Sequence, residues 1–116
     1  MTTALYTHSS SFDHDTSPGH PESIARIEAV VDALSGSSWN ALCRLEAPRA
    51  TETQLQQVHD ESYINLVQNN IPEEGYARLD ADTILSPGSE EAAFRAAGAI
   101  IAAVDQIVSG KIDNAF

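Results

Sequence analysis

The sequence predicts an α/β fold built on a parallel sheet, and three observations point there. A short β-prone run, Thr3 to Thr7, opens the chain. An Ala-rich helix over roughly 89 to 109 is apolar on nearly every side, as a helix enclosed by other layers must be. After Gly110, the run Ile112-Asp113-Asn114-Ala115-Phe116 reads as a turn and the first residues of another strand. A helix that follows earlier strands and leads into a new one is part of a βαβ unit, the building block of parallel sheets covered on both faces. Few elements are available in 116 residues to cover such a helix. The pattern therefore carries the expectation that the chain is a portion of a larger fold.

Each element has a local cause. Ala4, Leu5 and Tyr6, flanked by threonines, make the first strand, and the polar stretch His8 to Ser17 is a loop. Ile24, Ile27, Val30, Val31 and Leu34 recur with a helical period. Pro21 suits the first helical position because it has no N–H to leave unpaired, and Glu22 puts a negative charge at the positive end of the helix dipole. Glu28 and Asp32 mark the exposed face, and Ser35-Gly36-Ser37-Ser38 ends the helix. Leu42, Cys43 and Leu45 form a second strand before Pro48. Thr51-Glu52-Thr53-Gln54 matches a capping box, and a short helix holding Leu55 and Val58 follows. Asp60 caps another helix, with Tyr63, Ile64 and Val67 on its inner face and Asn69 and Asn70 at its frayed end.

Residues 71 to 88, with Pro72, Gly75, Pro87 and Gly88, read as a long irregular loop. Ser86 or Ser89 caps the long helix, Glu90 and Glu91 lie in its first turn, and Gly110 stops it. Through its middle only Arg95, Asp105 and Gln106 make a narrow polar strip.

Composition excludes several function classes. Seventeen acidic residues against six basic ones give a net charge of -11, which repels phosphate backbones and anionic membranes, so nucleic acid and membrane are not expected partners. A polyamine or lysine-rich peptide would be attracted, although acidity also serves solubility. Cys43 is the single cysteine, which rules out an internal disulfide and a Cys-rich zinc site. With no signal-peptide pattern after Met1 and no long apolar span, a cytoplasmic location is expected.

Two clusters could carry chemistry. The stretch HDTSPGHPE, residues 14 to 22, holds His14, Asp15, His20 and Glu22. A zinc site needs three or four converging ligands, and this spacing matches no standard ligand motif, so the stretch reads first as the loop that leads into a helix. Asp80, Asp82 and Thr83 form a second cluster. It lacks the glycine and later ligands of an EF-hand, and by spacing it reads as turn chemistry. Arg26 lies beside the apolar stripe of the first helix, and His59 and Tyr63 are spaced to meet if one helix runs through both. No complete catalytic constellation is present.

Three colinear segments nonetheless resemble one family. HDTSPGHPESIARI (14 to 27), PRATETQLQQVHDESYI (48 to 64) and LDADTILSPGSEEAAFRAAGAIIAAVDQIVSGKIDNAF (79 to 116) resemble the N-terminal third of the histone deacetylase superfamily. The likeness is nearest to bacterial deacetylase-like amidohydrolases and to acetylpolyamine or acetoin-utilisation proteins. It implies an arginase/deacetylase-like fold, a three-layer α/β/α sandwich around a parallel sheet. It implies zinc held by two Asp and one His, a His-His pair moving protons, and a Tyr stabilising the oxyanion. None of those residues is matched here. The family's R-P-P-G-H-H-A stretch is expected a few residues beyond Phe116, so residues 1 to 116 would be an N-terminal segment, inactive alone.

By the same resemblance, His20 belongs to the first active-site loop and Arg26 matches an arginine near the cavity below the zinc. Asp82 resembles a rim aspartate that accepts hydrogen bonds from substrate amides, and His14 lies at the same mouth. Thr51, His59 and Tyr63 look like capping and packing positions. The implied substrate is an acetylated small molecule or peptide, cationic given the charge. Two other readings stay open: an interaction module whose apolar helix pairs with a copy of itself or another chain, and a His-based metal-binding domain.

Overall fold

The computed structural model describes residues 1 to 116. Strand β1 (Thr3–Thr7), helix α1 (Ile24–Ala33) and strand β2 (Cys43–Glu46) are followed by helices α2 (Glu52–Leu55) and α3 (Glu61–Asn69). A hairpin of β3 (Ala77–Arg78) and β4 (Ile84–Leu85), helix α4 (Ser89–Val108) and strand β5 (Asn114–Ala115) complete the order.

The main sheet has the order β2-β1-β5, and both pairings are parallel. Ala4 lies beside Cys43 on one side and Ala115 on the other, so the first strand is the middle one. Parallel neighbours need crossovers, and the segment from α1 to β2 and helix α4 supply them. Helix α4 packs against β1 and β5. Its close approach depends on Gly98, where a Cβ would lie 1.9 Å from the carbonyl oxygen of Pro48. Next to it, Ala50 N–H donates to the Phe94 carbonyl at 3.0 Å. Gly110 ends the helix with φ +72, a left-handed turn that glycine adopts without a Cβ penalty.

Several elements differ from expectation. Helix α1 begins at Ile24 after Ser23, so Pro21 and Glu22 lie before it. Pro21 therefore opens no helical turn, and Glu22 instead reaches forward to Arg26 at 2.7 Å. The polar stretch after β1 contains a 3-10 turn, Ser9–Phe12, closed by the His8 side chain accepting from Ser10 N–H. Residues 71 to 88 are not wholly irregular, because β3 and β4 pair antiparallel within them. Helix α2 ends at Leu55, so Val58 lies beyond it and is 80% exposed, and Tyr63 is 48% exposed rather than on the inner face, where Ile64 is buried. The capping box at Thr51 and Gln54 is complete, each side chain taking the other's backbone N–H.

The core is small. Fifteen of 116 residues are buried and no large side chain is fully enclosed. The radius of gyration, 15.6 Å, exceeds the roughly 13 Å expected of a compact chain of this length. The far side of α4 is left uncovered: Ile100 is 68% exposed, Val104 52% and Val108 81%. Helix α4 is apolar on two faces and the chain covers one. No helix is long and apolar enough to cross a membrane.

Candidate functional site

The loop from Asp13 to Glu22 and the segment from Gly75 to Ser89 are far apart in sequence and stitched together in space. Ser86 lies at the centre. Its hydroxyl accepts from Asp15 N–H at 2.9 Å and donates to the Asp13 carbonyl at 3.3 Å. Its own N–H donates to Ser89 Oγ at 2.8 Å, and Ser89 Oγ lies 2.7 Å from His14 Nδ1. Both serines are buried, so these bonds satisfy groups that would otherwise be costly to enclose. Gly88 completes the seam: a Cβ there would fall 2.3 Å from the Asp13 carbonyl oxygen. The expected serine caps thus serve the seam, and Gly88 occupies the N-cap position itself.

Asp15 and Tyr76 form a second stitch, the phenol donating to the carboxylate at 2.7 Å. That bond holds the Asp15 carboxyl below its ordinary value of 3.8, helped by Ser17 N–H, and pushes the Tyr76 phenol above 10.0. Tyr76 had no mark in the sequence as a site residue, because nothing local signals a partner 61 positions away. Thr16, buried beneath the loop, donates its hydroxyl to the Glu22 carbonyl.

The third stitch joins His20 to the hairpin tip. His20 Nε2 lies 3.0 Å from the Asp82 carbonyl, and Glu22 N–H donates to His20 Nδ1 at 3.1 Å. Asp80 organises that tip by accepting from Thr83 N–H at 2.7 Å, Asp82 N–H at 2.8 Å and the Thr83 hydroxyl at 2.9 Å. The Asp82 N–H, and then the Thr83 groups, hold the Asp80 carboxyl below 3.8.

A cavity of about 400 Å³ opens between α1 and α4. His14, Glu22, Arg26 and Ser89 give it a polar side, and Ile24, Ile27, Val30 and Leu85 an apolar one. Arg26 faces it while paired to Glu22. The four residues singled out from the sequence are therefore neighbours: His14 and Arg26 line one cavity, Glu22 links Arg26 to His20, and His20 touches Asp82. His59 and Tyr63 meet elsewhere, with ring centroids 5.5 Å apart beside a second, apolar cavity of about 330 Å³.

The donor set does not fit a zinc ion. No three His, Cys, Asp or Glu side chains converge. Several nearby donor atoms are also committed elsewhere: His14 Nδ1 to Ser89, both His20 nitrogens to backbone groups, and the Asp80 carboxylate to backbone N–H groups. The site is a cavity between two helices, joined through Glu22 and His20 to the tip of the hairpin.

Comparison with known proteins gives the same frame. The family model described as "Histone deacetylase domain" matches residues 20–116. The chain is 31% identical to Histone deacetylase 5 of Arabidopsis thaliana over 112 residues, covering 89% of this chain and 17% of that protein. It is 33% identical over 96 residues to the Histone deacetylase-like amidohydrolase of Pseudomonas aeruginosa, covering 83% of this chain and 24% of that one. A probable deacetylase of Archaeoglobus fulgidus is 28% identical over 119 residues, spanning 100% of this chain and 33% of its own length. The crystal structure of the HDA15 HD domain superposes with a TM-score of 0.89 at 24% identity, covering 100% of this chain and 34% of that one. That likeness shows the shared α/β fold. The chain spans a third or less of the curated relatives it matches.

Proposed function

Because the chain belongs to the histone deacetylase family, we propose that it forms one wall of the substrate channel of a zinc-dependent amide hydrolase acting on acetyl-lysine or acetylpolyamine-type acetamides. The observation that carries this reading is the run of contacts by which Glu22 joins His14 and Arg26, lining one cavity, to His20 and Asp82 beside it, from positions separated by up to 68 residues (82 minus 14). Asp82, exposed at the rim, accepts hydrogen bonds from substrate N–H groups. Arg26 and the apolar side of the cavity bound its interior. The net charge of -11 favours a cationic substrate.

Zinc supplies carbonyl polarisation and an activated water in such a reaction. In this proposal it is held by side chains other than those of residues 1 to 116, which act as an N-terminal segment of the domain and are inactive alone. A single free Cys43 suits a reducing, cytoplasmic setting. The test has two arms. With zinc and a fluorogenic acetyl-lysine substrate, the chain is expected to give no turnover above a metal-free blank, and clear turnover would overturn the inactivity. Titration of the 15N-labelled chain with an acetylated lysine peptide is expected to shift resonances at Asp82 and around the cavity. Shifts confined to other regions would count against the channel wall.

The exposed stripe of Ile100, Val104 and Val108 favours a second reading, an interaction module that associates through α4. Sedimentation equilibrium distinguishes it: a monomer at all concentrations argues against self-association.

A further inference from the structure

We infer that His20 and Asp80 are positioning residues that hold Asp82 from two sides, so that the rim carboxylate is set by a bridge across 62 positions of sequence. The inference rests on the channel-wall reading for its functional meaning, but its geometry stands by itself.

The hairpin that carries Asp82 has strands of two residues each, closed by Leu79 N–H donating to the Thr83 carbonyl at 3.0 Å. So short a pairing is marginal without outside support. Asp80 gives the inner support, its three accepted bonds fixing the N–H groups of Asp82 and Thr83. His20 gives the outer one. The backbone reverses through positive φ at Ser17 (78°) and Gly19 (83°) just before His20, which then reaches the Asp82 carbonyl.

The roles of the two His20 ring nitrogens follow from their nearest partners. The Asp82 carbonyl can only accept, so Nε2 carries the proton. Nδ1 accepts from Glu22 N–H at 3.1 Å, closer than the Glu22 carbonyl at 3.3 Å. Both ring nitrogens are thereby used, and none remains to bind substrate or metal. Asp82 contributes only backbone groups to this arrangement. Its exposed carboxylate is left free, with its backbone fixed on either side. His20 then acts on substrate only through Asp82.

Nuclear magnetic resonance on the full, 15N-labelled chain tests this. Long-range correlations of the His20 ring are expected to place a proton on Nε2. His20→Ala is expected to shift the Thr83 amide, whose nitrogen is bonded to the Asp82 carbonyl carbon. It should also speed amide exchange at Asp82 and Thr83 about fivefold, as for loss of one hydrogen bond, while β1 amides stay unchanged. His20→Gln, which keeps a donor near the Nε2 position, is expected to restore the Thr83 shift. An Nδ1–H tautomer, an unmoved Thr83 amide in His20→Ala, or failure of His20→Gln to restore it would overturn the inference. The tautomer is read on the parent chain, so it decides even if a variant misfolds. A bridge that forms while the acetylated peptide leaves Asp82 unshifted supports the inference and counts only against the channel-wall reading.

Discussion

The two halves of α4 share an Ala- and Ile-rich composition and meet opposite surroundings. Residues 89 to 98 are tied to several other parts of the chain, with only the side of Ala93 and Ala96 left open, facing the cavity. Ser89 joins the seam with His14 and Ser86. Arg49 pairs with Glu91 at 2.8 Å and Glu90 at 3.4 Å while its guanidinium lies 3.8 Å over the Phe94 ring. Arg95 holds Glu91 at 2.7 Å and donates to the Ala47 carbonyl at 3.0 Å. From residue 100 onward one face packs on the sheet through Ala103, and the other presents Ile100, Val104, Ile107 and Val108 to solvent. Hydrophobic pattern alone reports that a helix has two apolar faces. Which face finds a partner within the same chain depends on loops that reach back to it, and here they reach only the first half.

The sharpest way to break this contrast is at Gly98. On an open helix, replacing glycine by alanine gains up to about 1 kcal/mol. At Gly98 the new methyl meets the Pro48 carbonyl and the Ala50 nitrogen, both backbone atoms that cannot swing away. Gly98→Ala is therefore expected to lose about 2–3 kcal/mol, read as a lower urea midpoint by circular dichroism. A neutral or stabilising result would mean that the first half is not close-packed.

A second test uses acid. The Arg95 hydrogen bond, and then Arg49, hold the Glu91 carboxyl below its ordinary 4.5. The unfolded chain then takes up the proton more readily than the folded one. The stabilisation is thus fully present above pH 4.5 and is lost as pH falls through the lower folded value. Asp15 and Asp80 act in the same direction. Arg95→Met is expected to flatten the fall of the urea midpoint below pH 4.5, leaving the parts due to Arg49 and to those two aspartates. An unchanged slope would remove the Arg95–Glu91 pair from the account. The smallest effect belongs to the open half: Ile100→Lys with Val104→Lys is expected to change stability by less than about 0.5 kcal/mol while lowering the fluorescence of an apolar-surface dye. A large loss of stability would show that this face is packed after all.

Much of the fold was legible because its causes are local. The β-prone run of β1, the Thr51 capping box and the Gly110 stop each rest on a few adjacent residues, and each stands where expected. The hairpin at 77 to 85 was not legible, since strands of two residues are too short for alternation to register. The start of α1 was misplaced because Pro21 is equally at home in the turn before a helix. At the site, His14, His20, Arg26 and Asp82 were named from family resemblance, but their arrangement was not: the His14–Ser89 and Asp15–Tyr76 bonds join positions 75 and 61 apart. No local pattern encodes such distances.

The middle place of β1 in the sheet governs how the protein can assemble as it is made. Strand β1 gains β2 some forty residues after it is made, yet its other edge stays bare until residues 114 and 115 emerge. At synthesis rates of about 5–20 residues per second, that wait is roughly 5–20 s. Throughout it, the nascent chain presents an open strand edge. A chaperone or neighbouring nascent chain therefore has its best opportunity to intervene there.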